Sequence, residues 1–159
     1  MDGASAARAR PIGGGGHREA ARPADDETGR VVPRYLTTEE LVDLAVVAAG
    51  PTVGIRDIGL LESAAARPQT SVFGSEAYES LLEKAAALLH SIVANHPLVD
   101  GNKRLGFLAA ATFLELNGLR LADPDAVEDK AYDLVIAVAS GRLAEVGEIA
   151  DGLLALLAE

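Results

Sequence analysis

Residues 96–104, His-Pro-Leu-Val-Asp-Gly-Asn-Lys-Arg, place an imidazole, a carboxylate, a glycine and two cations within nine positions. His96 is a candidate general base, because an imidazole takes up and returns a proton near neutral pH. Asp100 offers hard oxygen ligands, and one carboxylate that shares the ion with substrate phosphates is a usual way for a protein to hold magnesium. These residue types therefore predict metal-assisted proton transfer beside a phosphate group.

The second half of this segment has the composition of an anion site. Gly101 can adopt backbone conformations closed to other residues, so the amides of Gly101, Asn102 and Lys103 can converge on an anion. The apolar run from Leu105 predicts a helix whose N-terminus carries partial positive charge, and Lys103 and Arg104 add two full charges there. Either half alone would be ordinary turn chemistry or a solvated face. Together they predict a phosphate site.

Helix signals on both sides of the segment predict the elements that position it. Thr37 and Glu40 form a capping box that begins a first helix, and Gly50 ends that helix. Asp57 caps a second, shorter helix, which Pro68 ends.

The remaining pattern continues as helices. Residues 69–75 are predicted to be extended or hairpin-like, and a long third helix, from about 78 to 95, leads into the histidine of the motif. A fourth helix begins near residue 102, and two more follow, at 123–141 and at about 146–157. The chain is therefore predicted to be all-α.

Two other histidines are not expected to act in chemistry. His90 lies in an apolar helical run and is predicted to be a hydrogen-bonded packing residue, and His17 lies in a glycine-rich stretch. Residues 1–33 contain few large apolar side chains, so we expect a disordered tail at 1–33 and one folded domain at 34–159.

Composition restricts the classes of partner. The net charge of −10 argues against a nucleic-acid partner and makes nucleotide phosphate the more natural anion for the local basic pair. The chain has no cysteine and no apolar stretch long enough to cross a bilayer, so no membrane association is expected. A cytoplasmic location is the expectation that follows.

Residues 96–104 resemble the signature of the Fic/Doc superfamily, His-Pro-Phe/Leu-x-Asp-Gly-Asn followed by a basic pair. The similarity extends over about residues 34–157. Four further stretches are similar to the death-on-curing (Doc) toxin branch of that superfamily: residues 54–57, 60–64, 67–69 and 83–86. The resemblance implies a compact bundle of about six helices, with a short flap or hairpin before the central helix.

The resemblance also implies an activity, which is transfer of part of ATP to a protein hydroxyl. In that reaction His96 would deprotonate the hydroxyl and Asp100 would hold Mg²⁺. The phosphates would be steadied by four consecutive residues, Gly101, Asn102, Lys103 and Arg104.

Two positions bear on which phosphorus is attacked. Adenylyl-transferring Fic enzymes usually have glycine after the asparagine and a second arginine three positions beyond the first, whereas this chain has Lys103 and Phe107. Both departures match the death-on-curing branch, in which the nucleotide lies reversed and its γ-phosphoryl group faces the hydroxyl. The resemblance thus implies a kinase-like toxin that modifies elongation factor Tu and arrests translation.

The same branch implies a cognate antitoxin that lays a segment in the groove of the site, as in a type II toxin–antitoxin pair. Two alternatives stay open at this point. A protein adenylyltransferase would use the same His96 and Asp100 with a different nucleotide pose. A non-catalytic helical module would keep the anion site for partner binding alone.

Overall fold

The structure, a computed structural model, describes residues 31–159. The predicted tail at 1–33 and His17 lie outside these residues, apart from residues 31–33. The described chain has six α-helices: α1 Thr38–Ala49, α2 Ile58–Ala66, α3 Leu81–Asn95, α4 Asn102–Leu116, α5 Pro124–Ala139 and α6 Val146–Leu154. A 3-10 turn at Arg67–Gln69 and a hairpin of two short strands, β1 Ser71–Val72 and β2 Ser75–Glu76, separate α2 from α3. The all-α prediction, with a hairpin before the central helix, is confirmed.

The helix starts follow the local signals in the sequence. Thr37 and Glu40 form a complete capping box, in which each side chain accepts a hydrogen bond of 3.1 Å from the other residue's backbone amide. Asp57 caps α2 by accepting from the amide of Gly59 at 2.9 Å. Both predicted helix starts are confirmed.

Three predicted boundaries differ from the structure by a few residues. The last helix ends at Leu154 and not at Leu157, because Leu157 forms an isolated antiparallel bridge with Leu121. The third helix begins at Leu81 instead of about residue 78, because the side chain of Ser80 caps it and accepts from the amide of Glu83 at 3.1 Å. The second helix ends at Ala66, and Pro68 lies in the 3-10 turn that continues it. A proline near the start of such a turn loses no hydrogen bond, since the first amides of a helical turn have no partner.

The central helix α3 is covered by α2, α4, α5, α6 and the 3-10 turn, and most of its length is buried. Its apolar residues recur on a broad face, which gives every neighbour a surface to pack on. Helix α4 approaches α3 closely at Gly106, where an added Cβ would lie 2.6 Å from Cγ2 of Val93. The packing of α3 against α4 therefore fixes both ends of the loop that joins them, residues 96–101.

The hairpin extends from this bundle. Its two-residue turn, Phe73-Gly74, has positive φ at both positions, as a tight turn between antiparallel strands requires. Among the described residues, no helix has the length and apolar character needed to cross a membrane.

Candidate active site at the α3–α4 loop

His96 caps the C-terminus of α3 in a left-handed backbone conformation, with φ 52° and ψ 62°. Its amide still donates to the carbonyl of Ile92 at 3.2 Å, and its side chain is exposed. Glycine usually occupies this position of a helix, because the left-handed conformation costs another residue about 1–2 kcal/mol. Contacts with the surrounding chain must therefore hold His96 in this conformation, which leaves the imidazole exposed to solvent.

The segment that links α1 to α2 pairs with the loop by main-chain hydrogen bonds. The carbonyl of Pro97 accepts from the amides of Arg56 at 2.8 Å and Asp57 at 3.1 Å. The amide of Val99 donates to the carbonyl of Gly54 at 2.8 Å. The stretch at 54–57, which carried part of the resemblance, thus forms one wall of the site.

The side chain of Arg56 adds a second level of contact. Its Nε donates to the carbonyl of His96 at 2.7 Å, and its Nη2 donates to the carbonyl of Asn95 at 2.7 Å. No local pattern in the sequence indicates a role for Arg56, because its partners lie about forty positions away. The guanidinium therefore closes the last turn of α3 at the candidate base.

Asn102 was predicted to steady a phosphate, but its side chain is buried and bonded within the loop. Its Oδ1 accepts from the amide of Leu98 at 2.9 Å, and its Nδ2 donates to the carbonyl of Leu98 at 3.0 Å. The same Nδ2 lies 3.5 Å from Nδ1 of His96. In this structure the amide side chain shapes the loop, and the backbone amide is the group that Asn102 presents at the start of α4.

The N-terminus of α4 is open. Its first backbone hydrogen bond runs from the amide of Leu105 to the carbonyl of Gly101 at 2.9 Å, and no side chain caps the helix. The amides of residues 102–104 consequently lack partners within the helix. Gly101 adopts φ 91°, and an added Cβ would lie 2.7 Å from the Cβ of Ala49. An anion can approach these amides directly.

Lys103 and Arg104 lie exposed in the first turn of α4, and neither forms an ion pair with another described residue. They stand at one end of a groove of about 1290 Å³ between α4 and α5. Apolar and aromatic groups line much of the groove, including Phe107 and Tyr132. Charged side chains of both signs also line it away from Lys103 and Arg104: Arg120, Glu115, Asp123, Asp125 and Glu128. The positive end of the groove is thus continuous with the open helix terminus.

Asp100 is exposed beside this terminus, and its Oδ1 accepts from the amide of Gly101 at 2.8 Å. Its Oδ2 makes no hydrogen bond with another described residue. Within residues 31–159, no group of three or more His, Cys, Asp or Glu side chains stands close enough to hold a metal ion. The loop thus offers one carboxylate next to the amides.

His90 is separate from this site, and the prediction of a hydrogen-bonded packing residue is confirmed. It is half-buried, with Nδ1 2.8 Å from Nη1 of Arg67, which also donates to Oγ of Ser91 at 3.1 Å. Burial and the charge of Arg67 lower the pKa of His90, against a smaller raising effect of Glu145. Nε of Arg67 donates to the hydroxyl of Tyr78 at 3.0 Å, so this cluster anchors the chain on both sides of the hairpin.

A buried lysine holds the base of the hairpin and was also missed by sequence reasoning. Lys84 on α3 is only 1% exposed, and its Nζ donates to the carbonyl of Tyr78 and to Oε1 of Glu76, the latter at 3.3 Å. The sequence shows a lysine on an apolar helix face but does not show which groups accept hydrogen bonds from its ammonium. The pair explains how a hairpin of two-residue strands keeps its orientation.

Two comparisons with known proteins bear on this site. A family model described as the Fic/DOC family matches residues 35–114, which run from the start of α1 into the second half of α4 and include the whole loop. A curated protein of Mycolicibacterium smegmatis, described as Toxin Doc, is 49% identical over 106 residues. That match covers 67% of this chain and 81% of the relative.

Proposed function

Because the chain belongs to the Fic/DOC family, in its Doc toxin branch, we propose that it is a Doc-like toxin of a type II toxin–antitoxin system. In this proposal it transfers the γ-phosphoryl group of ATP to a hydroxyl of elongation factor Tu and so arrests translation. The observation that carries the proposal is the exposed His96, held beside an open helix N-terminus that bears Lys103 and Arg104.

The proposed step assigns one task to each group of the loop. His96 takes the proton from the target hydroxyl, for which a positioned base is worth about 10²–10⁴-fold in rate. The hydroxyl oxygen bonds to the γ-phosphorus while the bond from that phosphorus to the bridging oxygen breaks, and ADP leaves. The amides of residues 102–104, with Lys103 and Arg104, stabilise the charge on the transferred group.

The residues of the loop fit ATP with magnesium. Magnesium is usually held by one or two carboxylates together with substrate phosphates, and Asp100 supplies one carboxylate next to the proposed phosphate position. When bound, the ion neutralises part of the phosphate charge. Asp100 keeps its Oδ2 available for this task because only Oδ1 is engaged by the Gly101 amide.

The preference for phosphoryl over adenylyl transfer rests on two positions of α4. Phe107 is half-buried against the core and contributes an apolar ring to the groove, so it offers no group that could bind a phosphate. The side chain of Lys103 occupies the first turn, where adenylyl-transferring relatives have glycine. These features support a pose in which the γ-phosphate lies at the amides of α4.

The toxin assignment implies a cognate antitoxin. The groove between α4 and α5 begins at Lys103 and Arg104, so a segment lying in it would cover the phosphate end of the site. Its apolar lining suits the apolar face of a bound helix. The similarity to the M. smegmatis protein described as Toxin Doc supports this part of the proposal.

The intact mass of elongation factor Tu tests the proposal. The factor is incubated with the full chain, ATP and Mg²⁺, beside a His96→Ala control. A gain of one phosphoryl group, absent in the control, is the expected result. A gain of one adenylyl group would instead show the runner-up activity and would overturn the inference from Lys103 and Phe107.

A growth assay separates catalysis from simple binding. Expression of the His96→Ala chain should no longer arrest growth, while an antitoxin encoded beside the gene should still bind it. Growth arrest that persists in the variant would refute catalysis through His96 and favour the non-catalytic module.

A further inference from the structure

We infer that Arg56 is a positioning residue for His96: its guanidinium holds the left-handed turn that aims the imidazole at the reacting hydroxyl. The inference concerns a residue outside the motif of residues 96–104, and its catalytic consequence rests on the function proposed above. Arg56 forms its side-chain hydrogen bonds with the carbonyls of residues 95 and 96 and none with the imidazole, so it acts through the backbone.

The geometry of the contact matches what the end of α3 needs. The last carbonyls of a helix lack intrahelical partners and carry partial negative charge. Arg56 places two parallel donors on two consecutive carbonyls, those of Asn95 and His96, each at 2.7 Å. A planar guanidinium can engage both at once, which an ammonium group cannot do with the same geometry.

The backbone of Arg56 fixes the same loop from the same side. Its amide donates to the carbonyl of Pro97 at 2.8 Å, so main chain and side chain together bind three consecutive carbonyls, at 95, 96 and 97. Asn102 holds the opposite side through Leu98. The turn at His96 is thus fixed between two clamps, and only the Arg56 clamp contacts the carbonyl of His96.

Without the guanidinium, nothing else among the described side chains bonds to the carbonyl of His96, and the strained φ of 52° can relax. Rotation of this residue out of the left-handed region would move the imidazole relative to the amides of α4. A displacement of about 1 Å at a reacting group can cost about 100-fold in rate. The side chain of Arg56 is exposed, so its loss should affect global stability far less than it affects the site.

The test compares Arg56→Ala, Arg56→Lys and a control, Arg142→Ala, in the full chain. Arg142 is also an exposed arginine, but its Nε donates to Oγ of Ser140, two positions away and outside the site. For each variant, kcat and KM for ATP are measured on elongation factor Tu. The ¹³C shifts of His96 and the ¹⁵N shifts of its imidazole are measured in parallel, since the Cα and Cβ shifts report φ and ψ directly.

We expect Arg56→Ala to lower kcat about 100-fold with little change in KM for ATP, and to move the His96 carbon shifts away from left-handed values. Arg56→Lys should recover part of kcat, because a lysine can still donate to one carbonyl. Arg142→Ala should match the original chain. If Arg56→Ala does not fold, the shifts and kcat of Arg56→Lys decide the question.

Unchanged His96 shifts in Arg56→Ala would overturn the inference, even with a lower kcat, since Arg56 would then act by touching the target or nucleotide. An unchanged kcat beside altered shifts would overturn it as well. If the original chain transfers nothing to elongation factor Tu, the proposed function fails by itself, and the His96 shifts still show whether Arg56 holds the turn.

Discussion

His96 and Phe73 share an uncommon backbone conformation, with φ of 52° and 51°, and lie in very different surroundings. His96 is held by Arg56 from one side and lies next to Asn102 on the other. Phe73 lies at the tip of the hairpin with its ring fully exposed, at 104% of the reference area, and only the turn with Gly74 accounts for its geometry.

The comparison shows that tertiary contacts maintain the left-handed backbone at His96 but not at Phe73. A left-handed residue costs free energy wherever it occurs, and it persists where the surroundings determine its conformation. At the α3–α4 loop those determinants come from two separate parts of the chain, the α1–α2 link with Arg56 and the start of α4 with Asn102, so the geometry of His96 depends on how the helices pack. At the hairpin tip they are local, so the tip can change without disturbing the core.

The largest expected effect separates two glycines that share left-handed geometry. Gly101→Ala should lower the free energy of unfolding by about 3 kcal/mol, because strain at φ 91° adds to a Cβ placed 2.7 Å from that of Ala49. Gly74→Ala, at φ 80° with nothing within 4 Å, should cost about 1 kcal/mol. Urea unfolding of both variants measures the difference.

A second variant isolates the contact at the loop. Combining Gly101→Ala with Ala49→Gly removes the clash and leaves the backbone strain. The double variant should therefore recover part of the loss, after allowance for the cost of Ala49→Gly alone. Equal losses for Gly101→Ala and Gly74→Ala would contradict the view that the loop is the more constrained region.

The next prediction concerns two buried asparagines, each of which forms hydrogen bonds with both the amide and the carbonyl of one other residue. The side chain of Asn102 accepts from the amide and donates to the carbonyl of Leu98. The side chain of Asn117 does the same with Arg34, at 2.8 and 3.0 Å. Replacing either with alanine removes the side-chain partner of these backbone groups and should cost about 2 kcal/mol in thermal or urea unfolding. Only Asn102→Ala should also abolish transfer to the target, since Asn117 lies outside the site.

The transfer activities of the two variants show whether the side-chain amide of Asn102 has a specific role in the site. Equal activity losses for Asn102→Ala and Asn117→Ala, at equal stability, would mean that transfer depends on overall rigidity and not on the shape of this loop.

A smaller effect is expected at the hairpin tip. Phe73→Gly should raise the free energy of unfolding by about 0.5 kcal/mol, because relief of left-handed strain exceeds the entropy that glycine adds to the unfolded chain. Val72→Gly, at an exposed strand position with ordinary backbone, should lower it by about 0.5–1 kcal/mol. Destabilisation by Phe73→Gly would show that the ring packs on the folded chain after all.

The smallest effect is a pH dependence at the anchor of the hairpin. The pKa of His90 is lowered from its ordinary value of 6.5 by burial and by Arg67, so the unfolded chain takes up a proton at a higher pH than the folded chain does. Stability should therefore decline as the pH falls from about 6.5 towards the pKa of the folded state. Melting temperatures of the original chain and of His90→Gln, compared across this interval, should show a flatter profile for the variant.

Protonation of His90 places a second positive charge beside Arg67. His90 makes no hydrogen bond with His96, so this pH dependence concerns the stability of the hairpin anchor and not the candidate site. An identical pH profile in His90→Gln would assign the decline to groups other than His90.

The order of elements and most helix ends could be predicted, because they depend on contacts within one turn of chain. The capping box at Thr37 and the Asx cap at Asp57 are examples, since each cap bonds an amide two or three positions ahead. The start of α3 was placed a few residues early because Ser80, a cap that accepts from Glu83, was not recognised.

For the candidate site, the sequence by itself determined that a histidine, a carboxylate and two cations lie together, because nine consecutive residues cannot be far apart. It also determined the helix that follows them and hence the open terminus of α4. Tertiary structure decided the rest: Arg56 reaches carbonyls forty positions away, and Lys84 reaches the hairpin from inside the bundle. The physical reason is that these partners meet only when whole helices pack, and packing depends on every apolar face of the chain at once.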